Sequence, residues 1–146
     1  MTSGFKVRNP DFETRVRESF AKQTVMGLLG ASLERVDPGS VTIVLPARAD
    51  LCQQDGYFHA GVSTTIADSA SGYGALSLFD AQTEVLSTEF KVNLLAPAIG
   101  DRLRAVSTVL KPGRTLTVVE ADVFAERGDE SVRVLKFLGT MIAIRR

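Results

Sequence analysis

Between His59 and Phe79 lie nineteen residues, AGVSTTIADSASGYGALSL, that carry one charge, the carboxylate of Asp68. Nothing else in the chain constrains the fold as much. A helix without a polar stripe has no face for solvent and belongs inside protein. Gly61, Gly72 and Gly74 lower helix propensity, by about 1 kcal/mol for each interior glycine, so close approach of a sheet or a second helix must favour them, as it would the small Ala67, Ala70 and Ala75. The stretch is long enough to cross a bilayer, but Ser63, Thr64, Thr65, Asp68, Ser69 and Ser71 make its centre too polar for that. A carboxylate in such a setting is costly unless it is paired, hydrogen-bonded or protonated. Asp68 therefore has two readings: a structural acid satisfied by Ser69, Ser71 or a backbone donor, or a general base or nucleophile.

The flanking sequence says what surrounds this helix. Phe12, Val16 and Phe20 recur every four residues, with Pro10 after Asn9, and predict an amphipathic helix over about 9–22. Residues 31–36 and 41–45 read as strands joined by the turn DPGS. Residues 83–95 alternate, with Leu86, Thr88, Phe90, Val92 and Leu94 expected on a core face. Val85, Ser87, Glu89, Lys91 and Asn93 are expected on a mostly polar face, where Glu89 and Lys91 would pair across strands. Three more strands follow near 102–110, 115–126 and 131–144, punctuated by KPGR and RGDE. Helix, two strands, neutral helix and four strands in one uninterrupted 146-residue chain predict a single α+β domain with an antiparallel sheet.

The neutral helix is expected to start near Ala60 or Gly61. First-turn N–H groups have no internal partners there, and the helix dipole favours negative charge, so an oxyanion is a suitable ligand. Asp68, seven residues beyond Gly61, returns to the same face but lies roughly 10 Å along the axis. A base and an oxyanion donor must each come within about 3–3.5 Å of the atoms they serve, so one chain holds only part of a site. Two antiparallel copies of the helix about a two-fold axis would complete two sites.

His59-Ala60-Gly61 with Asp68 nine residues after the histidine, then LSTEFKVNLLAPA and GRTLTVVEADVF, resembles the hotdog-fold acyl-CoA thioesterases, in particular the phenylacetate-pathway-like (PaaI-like) family. The resemblance spans about residues 27–144. It implies a hotdog fold, an antiparallel sheet wrapped around a central helix, and hydrolysis of acyl-CoA thioesters to free acid and coenzyme A. It implies a homodimer, or a dimer of dimers, with coenzyme A only as part of the substrate and no cofactor. Carried over by position, Asp68 would activate water or attack the carbonyl, and the backbone N–H of Ala60 or Gly61 would polarise that carbonyl. His59 would position the thioester or the helix start. Gln53 stands where relatives often have a water-orienting asparagine, and Ser87 where some place an assisting serine. Ala60 replaces the usual first glycine of the motif, and Gln53 lengthens the amide. A hotdog dehydratase or hydratase, and a non-catalytic acyl-CoA-binding module, are the alternative readings.

Other residues carry less. Lys111 and Arg114, flanking the KPGR turn, suit the phosphates of coenzyme A, or else belong to a solvated turn. Cys52, the only cysteine, excludes an internal disulfide and fits a reducing compartment, so the cytoplasm is expected. It reads as a small packed residue. With one histidine there is no ligand cluster for a metal. Seventeen basic residues balance seventeen acidic ones, which argues against nucleic acid or an anionic membrane as partner. The opening residues lack the apolar core of a secretory signal.

Overall fold

The computed structural model of the protein describes residues 4–146. The helices are α1 (Phe12–Lys22), α2 (Thr24–Leu29) and α3 (Ala60–Leu76). The strands are β1 (Ser32–Asp37), β2 (Ser40–Pro46), β3 (Thr83–Leu94), β4 (Arg102–Lys111), β5 (Leu116–Arg127) and β6 (Glu130–Arg145). All strands pair antiparallel in one sheet of order β1-β2-β4-β5-β6-β3. The sheet curls about α3, which packs against β2, β3, β4, β5 and β6, the hotdog arrangement. No described helix is long and apolar enough to cross a membrane.

Small residues on α3 serve the close approach to the sheet. Ile66, Ala67 and Ala70 are fully buried against Leu103, Ala105, Val119, Ala121 and Val123. Gly74 sits so near β4 that a Cβ on it would lie 2.7 Å from Ser107 Oγ. That hydroxyl, fully buried, donates to the Ala70 carbonyl at 2.7 Å and accepts the Val41 N–H at 3.0 Å, so one side chain ties helix, β2 and β4 together. Ser107→Ala is expected to cost about 1–3 kcal/mol, because it leaves buried partners unsatisfied. The loss would be read as a lower denaturant midpoint at unchanged slope. A midpoint equal to that of the parent would remove this role.

Three expectations need correction. α1 starts at Phe12 rather than Asn9, because Asn9 closes a turn: its side chain accepts the Asp11 N–H at 3.0 Å and its carbonyl the Phe12 N–H at 3.1 Å. α2 was not expected; its six residues bury one side chain, Met26, and are too short to show a period. On β3 the predicted faces hold for only part of the strand. Pairing with β6 skips a residue between Ser87 and Glu89, so Thr88 bulges and the alternation inverts. Before the bulge, Val85 and Ser87 lie on the helix side of the sheet. After it, Phe90 and Val92 take that side, and Phe90 stacks on buried Phe137. Leu86 is left on the outer face, 57% exposed.

Candidate active site

His59 ends an extended stretch (φ −62°, ψ 137°) and caps α3. Its Nδ1 accepts the Gly61 N–H at 2.9 Å, and its carbonyl accepts the N–H groups of Val62 and Ser63 at 2.9 and 3.2 Å. Gly61 must be small here, since a Cβ would press on the imidazole at 3.0 Å. The first turn therefore uses three of its own amides. Ala60 N–H alone in that turn has no acceptor among the described residues. The structure thus separates the two backbone donors that the sequence left interchangeable.

Gln53 lies beside this helix start, but its side-chain carbonyl is occupied. It accepts the N–H groups of Asp55 and Tyr57 at 2.5 and 3.3 Å, holding the 53–57 turn closed. Its amide N–H₂ is left to donate. Ala60, Gln53 and Ser63 share the wall of a groove of about 500 Å³ with the apolar side chains of Tyr57, Phe58 and Leu94. Cys52 is half-buried, bridged to Phe58, with its thiol 3.6 Å from the Arg48 carbonyl.

Asp68 lies on the one stripe of α3 that the sheet leaves uncovered, along with Gly61, Thr65 and Gly72. The helix is thus not surrounded by its own chain, contrary to its lack of charge. Thr64 and Thr65 turn their hydroxyls back to the carbonyls of Ala60 and Gly61 at 2.8 and 2.7 Å, which uses their protons within the helix. Ser87 Oγ donates to Asp68 Oδ1 at 2.6 Å, a charge-assisted bond made possible by the inversion at Thr88. The other carboxylate oxygen keeps its lone pairs. Asp68 and Ser87 line a cavity of about 220 Å³, separate from the Gln53 groove, with Ser19, Gln23, Ser69 and Tyr73 on its wall.

These last four residues form a chain of hydrogen bonds that sequence reasoning missed. Ser69 Oγ donates to Gln23 Oε1 at 2.8 Å, Gln23 Nε2 donates to the Tyr73 hydroxyl at 3.3 Å, and Ser19 meets the same hydroxyl at 3.3 Å. Burial pushes the Tyr73 phenol above its ordinary value; the Ser19 bond pulls against this and the Glu84 charge adds to it, so the hydroxyl keeps its proton. The only signal in the sequence was a tyrosine, with its polar tip, inside an otherwise neutral helix.

The remaining predicted residues fall elsewhere. Arg114 lines a different hollow, with Phe5, Arg8 and Phe79, while Lys111 ends β4 opposite Val118. Glu89 bonds across strands as expected, accepting from the Thr140 hydroxyl on β6, whereas Lys91 donates to Asn93 on its own strand. Among the described residues no three His, Cys, Asp or Glu side chains gather as a metal site. The candidate site on one chain is thus two half-sites on one helix. An N–H donor sits at the start and an acid two turns on, about 12 Å apart along the axis.

Residues 55–132 match the family model described as the thioesterase superfamily. A thioesterase family protein of Silicibacter pomeroyi has a crystal structure 43% identical in sequence, with a TM-score of 0.91 over 92% of this chain and 99% of that one. A 1,4-dihydroxy-2-naphthoyl-CoA hydrolase of Listeria monocytogenes is 26% identical over 124 residues, covering 83% of this chain and 98% of that protein. The PaaI protein of Escherichia coli, from the phenylacetic acid degradation operon, shares the fold at a TM-score of 0.84 and 18% identity over 94% of this chain and 96% of that one.

Proposed function

Since this chain belongs to the thioesterase superfamily, we propose that it hydrolyses acyl-CoA thioesters to free acid and coenzyme A in sites shared between two copies. The observation that carries this reading is the division of α3: a hydrogen-bonded carboxylate at Asp68 and a free amide at Ala60, on one helix but too far apart to meet one carbon.

In the dimer, Asp68 of one copy lies opposite Ala60 of the partner subunit. Asp68 takes a proton from water as the oxygen attacks the thioester carbonyl, and Ser87 fixes the orientation of the carboxylate. The carbonyl oxygen becomes an oxyanion that accepts the N–H at Ala60 of the partner subunit. Collapse of the tetrahedral adduct breaks the C–S bond. The proton held by Asp68 then goes to the departing thiolate, which leaves acid and thiol and restores the carboxylate. Gln53, through its unused amide hydrogens, is placed to orient either the water or the thioester. His59 acts through Gly61 by fixing the first turn. No metal or cofactor enters these steps, and coenzyme A enters only as part of the substrate. A reducing cytoplasm suits both this substrate and the lone Cys52.

The sheet edge supports the two-copy arrangement. β3 is an edge strand of twelve residues with Leu86, Phe90 and Leu94 57%, 44% and 60% exposed. A long apolar edge of this kind invites a second strand. Sedimentation at micromolar concentration is expected to give a dimer or a larger even assembly. A thiol-release screen over short, long and aromatic acyl-CoAs is expected to find turnover. A fully active monomer would overturn the shared site, and saturable binding without thiol release would overturn hydrolysis.

A further inference from the structure

We infer that α1 and the break that follows it give the active site a polar acyl pocket, in which Gln23 selects short acyl groups bearing a neutral hydroxyl or carbonyl substituent. The inference rests on the reading that Asp68 is the base, since the pocket is the cavity that Asp68 and Ser87 line.

The helix break at Gln23 places this residue. Gln23 is extended (φ −78°, ψ 96°), ending α1 and preceding α2, yet its side chain caps neither helix. It crosses instead to α3, accepting from Ser69, the neighbour of Asp68, and donating to Tyr73. A primary amide has two N–H donors, and only one is used here. Ser69 donates its hydroxyl proton to Gln23 and keeps its lone pairs. The wall beside the proposed base thus offers one unused donor and hydroxyl acceptors, the set that reads an alcohol or a ketone.

Charge and volume narrow the class further. Glu84 lines the same cavity and is already paired with Arg15 and Arg146 at 3.4 and 3.3 Å. The arginines offset Glu84, but Asp68 has no ion-pair partner among the described residues, so an acyl group ending in a carboxylate would meet its charge and is disfavoured. A cavity of about 150 Å³ accepts benzene. At about 220 Å³ on one chain, this one has room for an acyl group of a few carbons.

The test is thiol-release kinetics on butanoyl-, 3-hydroxybutanoyl-, succinyl- and dodecanoyl-CoA, with the parent protein, Gln23→Leu and Tyr73→Phe. For the parent, kcat/KM for 3-hydroxybutanoyl-CoA is expected to be about tenfold or more above each of the other three, since a site built to bind a hydroxyl discriminates against analogues lacking it. Gln23→Leu is expected to bring the ratio of hydroxybutanoyl to butanoyl to within about twofold. Tyr73→Phe, which removes one oxygen, should lower the same ratio and serves as the test if Gln23→Leu does not fold. Equal kcat/KM for the hydroxylated and plain butanoyl substrates overturns the inference alone, as does a ratio that survives both substitutions or a preference for dodecanoyl- or succinyl-CoA. Thiol release from none of the four overturns this inference; hydrolysis falls with it only if the aromatic acyl-CoAs of the wider screen are not cleaved either.

Discussion

Asp68→Asn is expected to leave a folded protein whose kcat for thiol release falls by about 10²–10⁴-fold, the usual contribution of a positioned general base. The substitution keeps the shape and the oxygen that accepts from Ser87 Oγ at 2.6 Å, so neither α3 nor the β3 bulge has reason to move. What it removes is the negative charge and the capacity to hold a proton between attack on the carbonyl and departure of the thiolate. KM should change much less than kcat, because the carboxylate is needed most when water is losing its proton. Steady-state thiol release, with circular dichroism and sedimentation on the same preparation, separates loss of chemistry from loss of structure. If turnover persists at the parent rate, Asp68 is the structural acid of the alternative reading.

That alternative was legible from the start, and so was much of the frame around it. The charge-poor run before Phe79 gave the central helix and its start at Ala60, and DPGS, KPGR and RGDE punctuated the strands within a residue or two. Local pattern sufficed there because each feature is set by neighbours in sequence. It failed where one extra residue or one distant partner decides. Thr88 is β-branched and reads as an ordinary strand residue; only pairing with Thr140 and Met141 across the sheet reveals that it is skipped, and that Ser87 therefore faces Asp68. Gln23 gave no sign of its bridge to Ser69 and Tyr73, because the partners lie about fifty residues away. The helix-start donor was narrowed only by seeing which amide the His59 ring captures.

That capture makes Ala60→Pro the sharpest removal of the proposed oxyanion donor, with an expected fall in kcat of about 10²–10³-fold. Proline is well suited to the first position of a helix, where its missing N–H breaks no internal bond. The preceding residue must be extended, and His59 already is, at φ −62° and ψ 137°. The cap from His59 to Gly61 and the bonds from Val62 and Ser63 to the His59 carbonyl do not involve the Ala60 amide, so the first turn should persist. Co-expressing this variant with Asp68→Asn then asks which chains contribute to a site. If each site draws its acid from one copy and its amide from the other, a mixed dimer holds one site with both groups intact and one with neither. Random pairing makes half of the dimers mixed, so activity should return to about a quarter of the parent value, although each variant alone is nearly inactive. Had both groups served one site within a chain, every site in the mixture would lack one of them, and activity would stay at the mean of the two variants.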